Sequence, residues 1–288
     1  MKTLDQSYYC GASTTQIIYE TIGVYFDRIC DQYPDKDALI VRHQGVRWTY
    51  RQLQEQVDQL AGGLLALGVA PGDRVGIWGP NSYEWVMVQL ATAKIGAIMV
   101  CINPAYRLYE LEFALNKVEC KVVVTAEKFK TSDYLGMLNT LAPELADSKP
   151  GALQAQKLPY LRTVIRMGTA ETAGMLNFET VCGLGGEKNG DQLRALRSQL
   201  KPDDAINIQF TSGTTGSPKG ATLTHHNILN NGFFVGCAQA LGEDDRICIP
   251  VPLYHCFGMV MGNLASVTHG AAMIYPGEGF DPLETLET

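Results

Sequence analysis

The chain has 288 residues, with 23 Lys and Arg against 30 Asp and Glu and a net charge of -7, so the chain as a whole gives nucleic-acid binding no electrostatic support. At 46% hydrophobic and 18% charged residues it can bury a sizeable core, as one large domain or two smaller ones, and the composition argues against disorder.

Ile18, Ile22, Phe26 and Ile29 recur at helical spacing, and Pro34 ends that helix before the apolar strand in "DALIV". In "WTYRQLQEQVDQLAGGLLALG", Thr49 and Gln52 have capping-box spacing. Leu53, Val57, Leu60, Leu64 and Leu67 form one face, and Gly68 stands where a C-terminal glycine belongs. The chain then alternates. "RVGIWG" reads as a strand, "SYEWVMVQLATAKIG" as a helix, "IMVCIN" as a strand, "LYELEFALNKV" as a helix and "KVVVTA" as a strand. Such alternation implies parallel strands joined by helical crossovers.

A less regular stretch, roughly 141–202, holds "RTVIRMG" as a strand and the glycine-rich "CGLGGEKNG" as a loop. The alternation resumes with the strand "AINIQF", a helix through "HHNILNNGFFVGCAQAL", the strand "RICIPV", an apolar helix after His255, and the strand "AAMIYPG". Two α/β halves, approximately 35–140 and 203–288, thus flank an irregular connection. In "FDPLETLET", Asp281 as N-cap, Pro282 at the first helical position and Glu284 announce a final helix. A domain seldom ends as an element starts, so the sequence reads as a fragment, a short isoform or an incomplete gene model.

Eight cysteines, at 10, 30, 101, 120, 182, 237, 248 and 256, form no CxxC pair, which fits reduced and mostly buried thiols of an intracellular protein. The longest stretch without Asp, Glu, Lys or Arg, Ile247 to Gly277, is interrupted by Pro250, Pro252, His255, Asn263 and His269, so no transmembrane segment is expected. "MKTLDQSYYCGAST" has neither a secretory apolar region nor an Arg-rich amphipathic transit pattern.

The chemistry concentrates in "TSGTTGSPKG", 211–220, after a strand and ahead of a helix. Glycines let backbone N–H groups share one concavity, the hydroxyls of Thr211, Ser212, Thr214 and Thr215 add donors, and Lys219 brings positive charge, a set suited to polyphosphate. Gly/Ser/Thr-rich segments are also flexible linkers, but linkers rarely follow a buried-looking strand and frame one lysine between Pro218 and Gly220. The G-x-x-x-x-G-K-[ST] pattern fails, because Pro218 stands at the second glycine and Gly220 follows the lysine. The G-x-G-x-x-G fingerprint fails on its spacing.

"TSGTTGSPKG" resembles the phosphate-binding signature of the adenylate-forming superfamily, which includes acyl-CoA synthetases, luciferases and adenylation domains of peptide synthetases. "WTYRQL", "ATAKIGAIMVCINPAY" and "VPLYHCFGM" resemble further motifs of that family in the same order, and "WGPNSYEW" and "INPAY" are most similar to the mitochondrial medium-chain acyl-CoA synthetases. The resemblance spans essentially the whole chain but only the N-terminal part of the family's enzymes. It implies the N-terminal domain of the adenylate-forming fold, an α/β fold with parallel-rich sheets flanked by helices, lacking the C-terminal lid domain.

The implied reaction is ATP-dependent activation of a medium-chain fatty acid through acyl-adenylate to acyl-CoA. Thr211, Ser212, Gly213, Thr214, Thr215, Gly216, Ser217, Pro218 and Lys219 would hold the ATP phosphates, and His255 of "PLYHCFG" would lie near the reacting carboxyl group. Coenzyme A is the co-substrate. The family's Mg2+-binding Glu in Y-G-x-T-E, its ribose-binding T-G-D and its terminal lysine have no counterpart in this sequence, so the chain alone is expected to be inactive. The alternatives are a catalytically silent nucleotide-binding or interaction isoform and an adenylation domain that loads a carrier protein. The resemblance implies a mitochondrial location, with the cytoplasm as alternative. His225 and His226 are expected to serve helix entry and packing, and Asn103, Pro104 and Tyr106 to be structural.

Overall fold

The computed structural model describes residues 14–211 and 218–288. Helix α1 (Ile22–Gln32) starts where the Thr21 hydroxyl accepts the Val24 N–H at 3.3 Å and ends before Pro34. Strands β1 (Asp37–Val41) and β2 (Val46–Thr49) form a hairpin that turns at Gly45, whose φ of +66° is the left-handed conformation glycine tolerates. In α2 (Tyr50–Ala66) the capping box forms as the spacing predicts. The Gln52 N–H reaches Thr49 Oγ1 at 3.3 Å, and the Thr49 N–H reaches Gln52 Oε1 at 2.9 Å.

The crossover units follow in the expected order: β3 (Arg74–Trp78), α3 (Tyr83–Ile95), β4 (Ile98–Cys101), α4 (Leu108–Lys117) and β5 (Val122–Thr125). A small ribbon of β6 (Lys128–Phe129) and β7 (Ser132–Asp133) leads to α5 (Tyr134–Leu141). The irregular stretch supplies β8 (Thr163–Arg166), β9 (Leu176–Asn177), α6 (Phe178–Cys182) and α7 (Glu187–Gln199). Helix α7 occupies part of the glycine-rich segment that reads as a loop. Beyond it come β10 (Ala205–Thr211), β11 (Lys219–Thr224), α8 (His225–Ala238), β12 (Arg246–Cys248), a π-helical segment (Phe257–Leu264) running into α9 (Ala265–His269), β13 (Ala272–Tyr275) and α10 (Pro282–Glu287). The Asp281 carboxylate caps α10 by accepting the Glu284 N–H at 2.9 Å, as the sequence suggests.

Seven strands form one sheet in the order β11-β10-β4-β3-β5-β8-β9, parallel throughout except for the antiparallel β11 at its edge. The central strands β3, β4, β5 and β8 are buried on both faces. Val75, Ile77, Met99, Cys101, Val122 and Val124 join the core beneath α2 and α3, whereas Trp78, Val100, Ile102 and Val123 join a second core with Leu111, Leu115, Tyr134 and Leu138 of α4 and α5. A second sheet runs β12-β13-β1-β2, with Leu39 opposite Met273 in the parallel β1–β13 pair. Each sheet therefore takes strands from both the 35–140 and the 203–288 stretches.

Helix α3 is buried nearly all round, and its Lys94 cannot stay charged there without partners. Asp27 of α1 accepts from Lys94 Nζ at 2.6 Å, and Asp58 of α2 is a second, short partner. Burial pushes the Asp58 carboxyl up, with Lys94 opposing that shift. Among the described cysteines none is disulfide-bonded; Cys30, Cys101, Cys120 and Cys182 are buried, Cys248 is half-buried, and Cys237 and Cys256 are exposed. Among the described residues no helix is long and apolar enough to cross a membrane.

Candidate functional site

The chain order of the large sheet reverses at β3, with β4 on one side and β5 on the other, and at such a reversal the connections diverge to leave a crevice at the carboxyl ends of the strands. A cleft of about 540 Å3 opens there, lined by Asn81 after β3, Asn103 and Arg107 after β4, Tyr254, and Glu278 and Phe280 after β13.

The phosphate-loop candidates stand one strand away. Thr211 ends β10 and Lys219 begins β11, and the two are register partners in the antiparallel pair. Both are exposed, and the Thr211 hydroxyl approaches the Lys219 carbonyl at 3.4 Å. Pro218 is half-buried. Ser212, Gly213, Thr214, Thr215, Gly216 and Ser217 lie outside the described residues. The segment connects two strands of a hairpin, so a strand that the sequence pattern does not mark stands between the loop and the helix expected after it. Helix α8 begins only after β11. The hairpin brings the two ends of the loop together, so the Lys219 cation and the Thr211 hydroxyl share one corner of the sheet.

Phe210, beside Thr211, meets the Tyr106 ring edge-on at a centroid distance of 6.2 Å, which ties the end of β10 to the turn after β4. Side chains hold that turn in shape. Asn103 Oδ1 accepts the Ala105 N–H at 2.9 Å, and the Pro104 carbonyl accepts the Tyr134 hydroxyl at 2.9 Å. Asn103 and Pro104 thus spend these polar groups on shape.

His255 lies in an exposed bend just before the π-helical segment. Its Nδ1 accepts the Phe257 N–H at 3.1 Å, so in the neutral ring the proton resides on Nε2, which becomes a donor. Asn81 fixes the approach to this bend. Its Nδ2 donates to the Val251 carbonyl and its Oδ1 accepts the Leu253 N–H, both at 2.9 Å, while its own N–H reaches the Glu278 carbonyl at 3.1 Å. Composition and spacing leave this residue unmarked. The only sequence signal was its place within "WGPNSYEW".

The floor of the bend rests on Gly258. A Cβ there would lie 2.5 Å from the Pro252 carbonyl oxygen and 2.8 Å from its carbon, both backbone atoms with nowhere to move. Gly258→Ala is therefore expected to cost about 1–3 kcal/mol and to lower the thermal midpoint by several degrees. An unchanged melting curve would show that the 252–258 turn adapts freely. Below the bend, Gln89 of α3 donates to the Met259 carbonyl at 3.0 Å, Asn263 donates to Gln89 Oε1 at 2.9 Å, and the Tyr275 hydroxyl donates to Asn263 Oδ1 at 2.6 Å. This buried chain satisfies polar groups around the widened π-helical turns.

His225 has a different part. It is the first residue of α8 and fully buried, and its Nδ1 accepts the Ile22 N–H at 3.1 Å, which joins α8 to the start of α1. Burial holds its imidazole down at about 4, against an opposing pull from Asp204. It packs, as expected of a helix-entry residue.

A model of the AMP-binding enzyme family matches residues 26–288. The chain is 44% identical over 285 residues to the mitochondrial medium-chain acyl-CoA ligase ACSF2 of Rattus norvegicus, covering 98% of this chain and 46% of that protein. It is 40% identical over 273 residues to the putative acyl-CoA synthetase YngI of Bacillus subtilis, covering 95% and 50%. Among solved structures, a long-chain-fatty-acid-CoA ligase from Archaeoglobus fulgidus superposes with a TM-score of 0.77 at 23% identity, covering 98% of this chain and 52% of the other. A putative long-chain-fatty-acid CoA ligase from Rhodopseudomonas palustris gives 0.74 at 25% identity, covering 93% and 60%. The α/β fold read from the alternation of elements is thus the fold these enzymes share over their matched portions. The chain spans about half the length of the curated relatives it matches.

Proposed function

The chain belongs to the AMP-binding enzyme family, and from that premise we propose that it forms the N-terminal half of an acid:CoA ligase acting on a medium-chain fatty acid. The observation that carries this reading is 44% identity, along 98% of the chain, to an enzyme named for that activity. The carboxylate oxygen attacks the α-phosphorus of ATP, a C–O–P bond forms, and the bond to the β-phosphate breaks to release pyrophosphate. The coenzyme A thiol then attacks the acyl carbon, giving a thioester and AMP.

In the first step negative charge grows on the departing pyrophosphate. Lys219 and Thr211, brought together at the β10–β11 corner, and residues 212–217 between them offset that charge. His255 contributes an orienting hydrogen bond from Nε2 to the acid's carboxylate. It removes no proton, because an ionised carboxylate has none to give. The cleft beside Tyr254 and Asn103 admits the acid along the carboxyl edge of the sheet. Among the described residues no cluster of three or more His, Cys, Asp and Glu side chains could hold a metal ion. The relatives named as mitochondrial support placing the protein in mitochondria, with the cytoplasm as the alternative.

Full-length protein incubated with ATP, coenzyme A and a panel of acids should produce AMP and thioester with medium-chain fatty acids. Adenylation of amino acids alone, with transfer to a carrier protein, would replace this reading with that of a carrier-loading domain. Binding of ATP with no turnover of any acid would indicate a silent nucleotide-binding module.

A further inference from the structure

Apart from the residues that line the cleft, α8 and α9 hold a second pair of reactive groups that the ligase chemistry does not use. Cys237 near the end of α8 is exposed, and its Sγ lies 3.6 Å from Nε2 of His269, the last residue of α9. The tautomer of His269 follows from what surrounds its other nitrogen. Nδ1 is 3.1 Å from the Ala265 carbonyl, which can only accept, and 3.0 Å from Thr268 Oγ1, whose own hydrogen goes to the Leu264 carbonyl at 2.7 Å. Both neighbours being acceptors, the ring proton is on Nδ1, and Nε2 turns its lone pair toward the Cys237 thiol.

The ring is also held in place. Phe233, one turn before Cys237, stacks on it with centroids 5.3 Å apart and planes 18° apart. At Gly236 a Cβ would fall 2.3 Å from the His269 ring, so only glycine leaves the imidazole room against α8. A nucleophile, a base within reach, and a third group that orients the base are the parts of an activated nucleophile.

We propose that Cys237 and His269 form a covalent modification site for soft carbon electrophiles of the α,β-unsaturated carbonyl class. As the Cys237 sulfur bonds to the β-carbon, the thiol proton passes to His269 Nε2 and the C=C π pair moves onto the α-carbon and carbonyl oxygen as an enolate. The imidazolium then returns a proton to the α-carbon. The net change is addition of S–H across the double bond, with no oxidant or leaving group needed.

Cys256 provides an internal comparison. It is exposed as well, and its Sγ lies 3.8 Å from His255 Nδ1, but that nitrogen is already engaged by the Phe257 N–H. Limiting N-ethylmaleimide should be added to the intact, folded protein at pH 7, and adducts quantified at each cysteine by peptide mass mapping over time. Cys237 is expected to react at least about tenfold faster than Cys256. His269→Gln, which keeps a donor for the Ala265 carbonyl without supplying a base, should bring the two rates together. Equal rates in the parent protein would overturn the proposal, whether or not the variant folds. Retention of the tenfold ratio in a folded His269→Gln protein would overturn it too, since exposure alone would then account for the labelling.

Discussion

Replacing Lys219 with alanine in the intact enzyme is expected to slow acyl-adenylate formation by about 10- to 1,000-fold, the range over which single preorganised donors act on developing charge. The side chain is exposed at the first residue of β11, so its removal opens no cavity and strips no core contact. Folding should survive, and the loss should fall on the step in which pyrophosphate departs. Pyrophosphate exchange driven by the acid measures that step alone. Thioester formation from supplied acyl-adenylate and coenzyme A measures the other, where no pyrophosphate is present. The first rate should collapse while the second changes little. A parallel fall in both would remove Lys219 from the role of phosphate partner.

Acidification should weaken the fold through His225 by about 3 kcal/mol, because its imidazole is held at about 4 against 6.5 when free, and 2.5 pH units at 1.36 kcal/mol each give that amount. The folded state resists the proton that the unfolded chain accepts. The stabilisation is therefore complete above pH 6.5 and drains away as the pH falls toward 4. The physical origin is burial. The ring is fully covered, and its Nε2 finds no partner among the described residues that would reward a second proton. Urea unfolding at pH 7 and at pH 4.5 should reveal the drop, and His225→Gln should flatten it. A titration of the His225 ring resonance in the folded protein gives an independent reading: a midpoint near 6.5 would exclude the linkage.

How much of this molecule can be read from its sequence depends on how local the causes are. The capping box of Thr49 and Gln52 and the Asp281 cap act within four residues, and both form as their spacing demands. The buried parallel strands are legible because burial on both faces makes them continuous apolar runs. Helix α7 is hidden for the opposite reason. Only Leu196 among its residues is buried, and the glycines around its start mask a helix that gains little from any apolar stripe. Strand β11 is exposed along most of its length, so "KGATLT" carries no strong strand pattern and the hairpin with β10 goes unseen. Of the site, Thr211, Pro218, Lys219 and His255 stand out from the sequence by motif. The clamp of Asn81 on Val251 and Leu253 joins segments 170 and 172 residues apart, and a single asparagine has no spacing from which to read it. The Nδ1 bond that sets the His255 tautomer depends likewise on a bend that only the folded chain defines.

The smaller sheet has a consequence for how the protein is made. Strand β1 leaves the ribosome well before its neighbour β13, which lies more than 200 residues downstream, with Val41 opposite Tyr275. At roughly 5–20 residues per second, the nascent chain must carry the apolar "ALIV" segment for about 10 to 50 seconds with one ladder edge open. In that interval β2 pairs with its other edge and α2 packs against it. An open, apolar edge is what strand-capturing partners and other nascent chains recognise. Slow synthesis through the 141–202 stretch would lengthen the exposure and lower the soluble yield, while leaving the thermodynamic stability of the finished fold untouched.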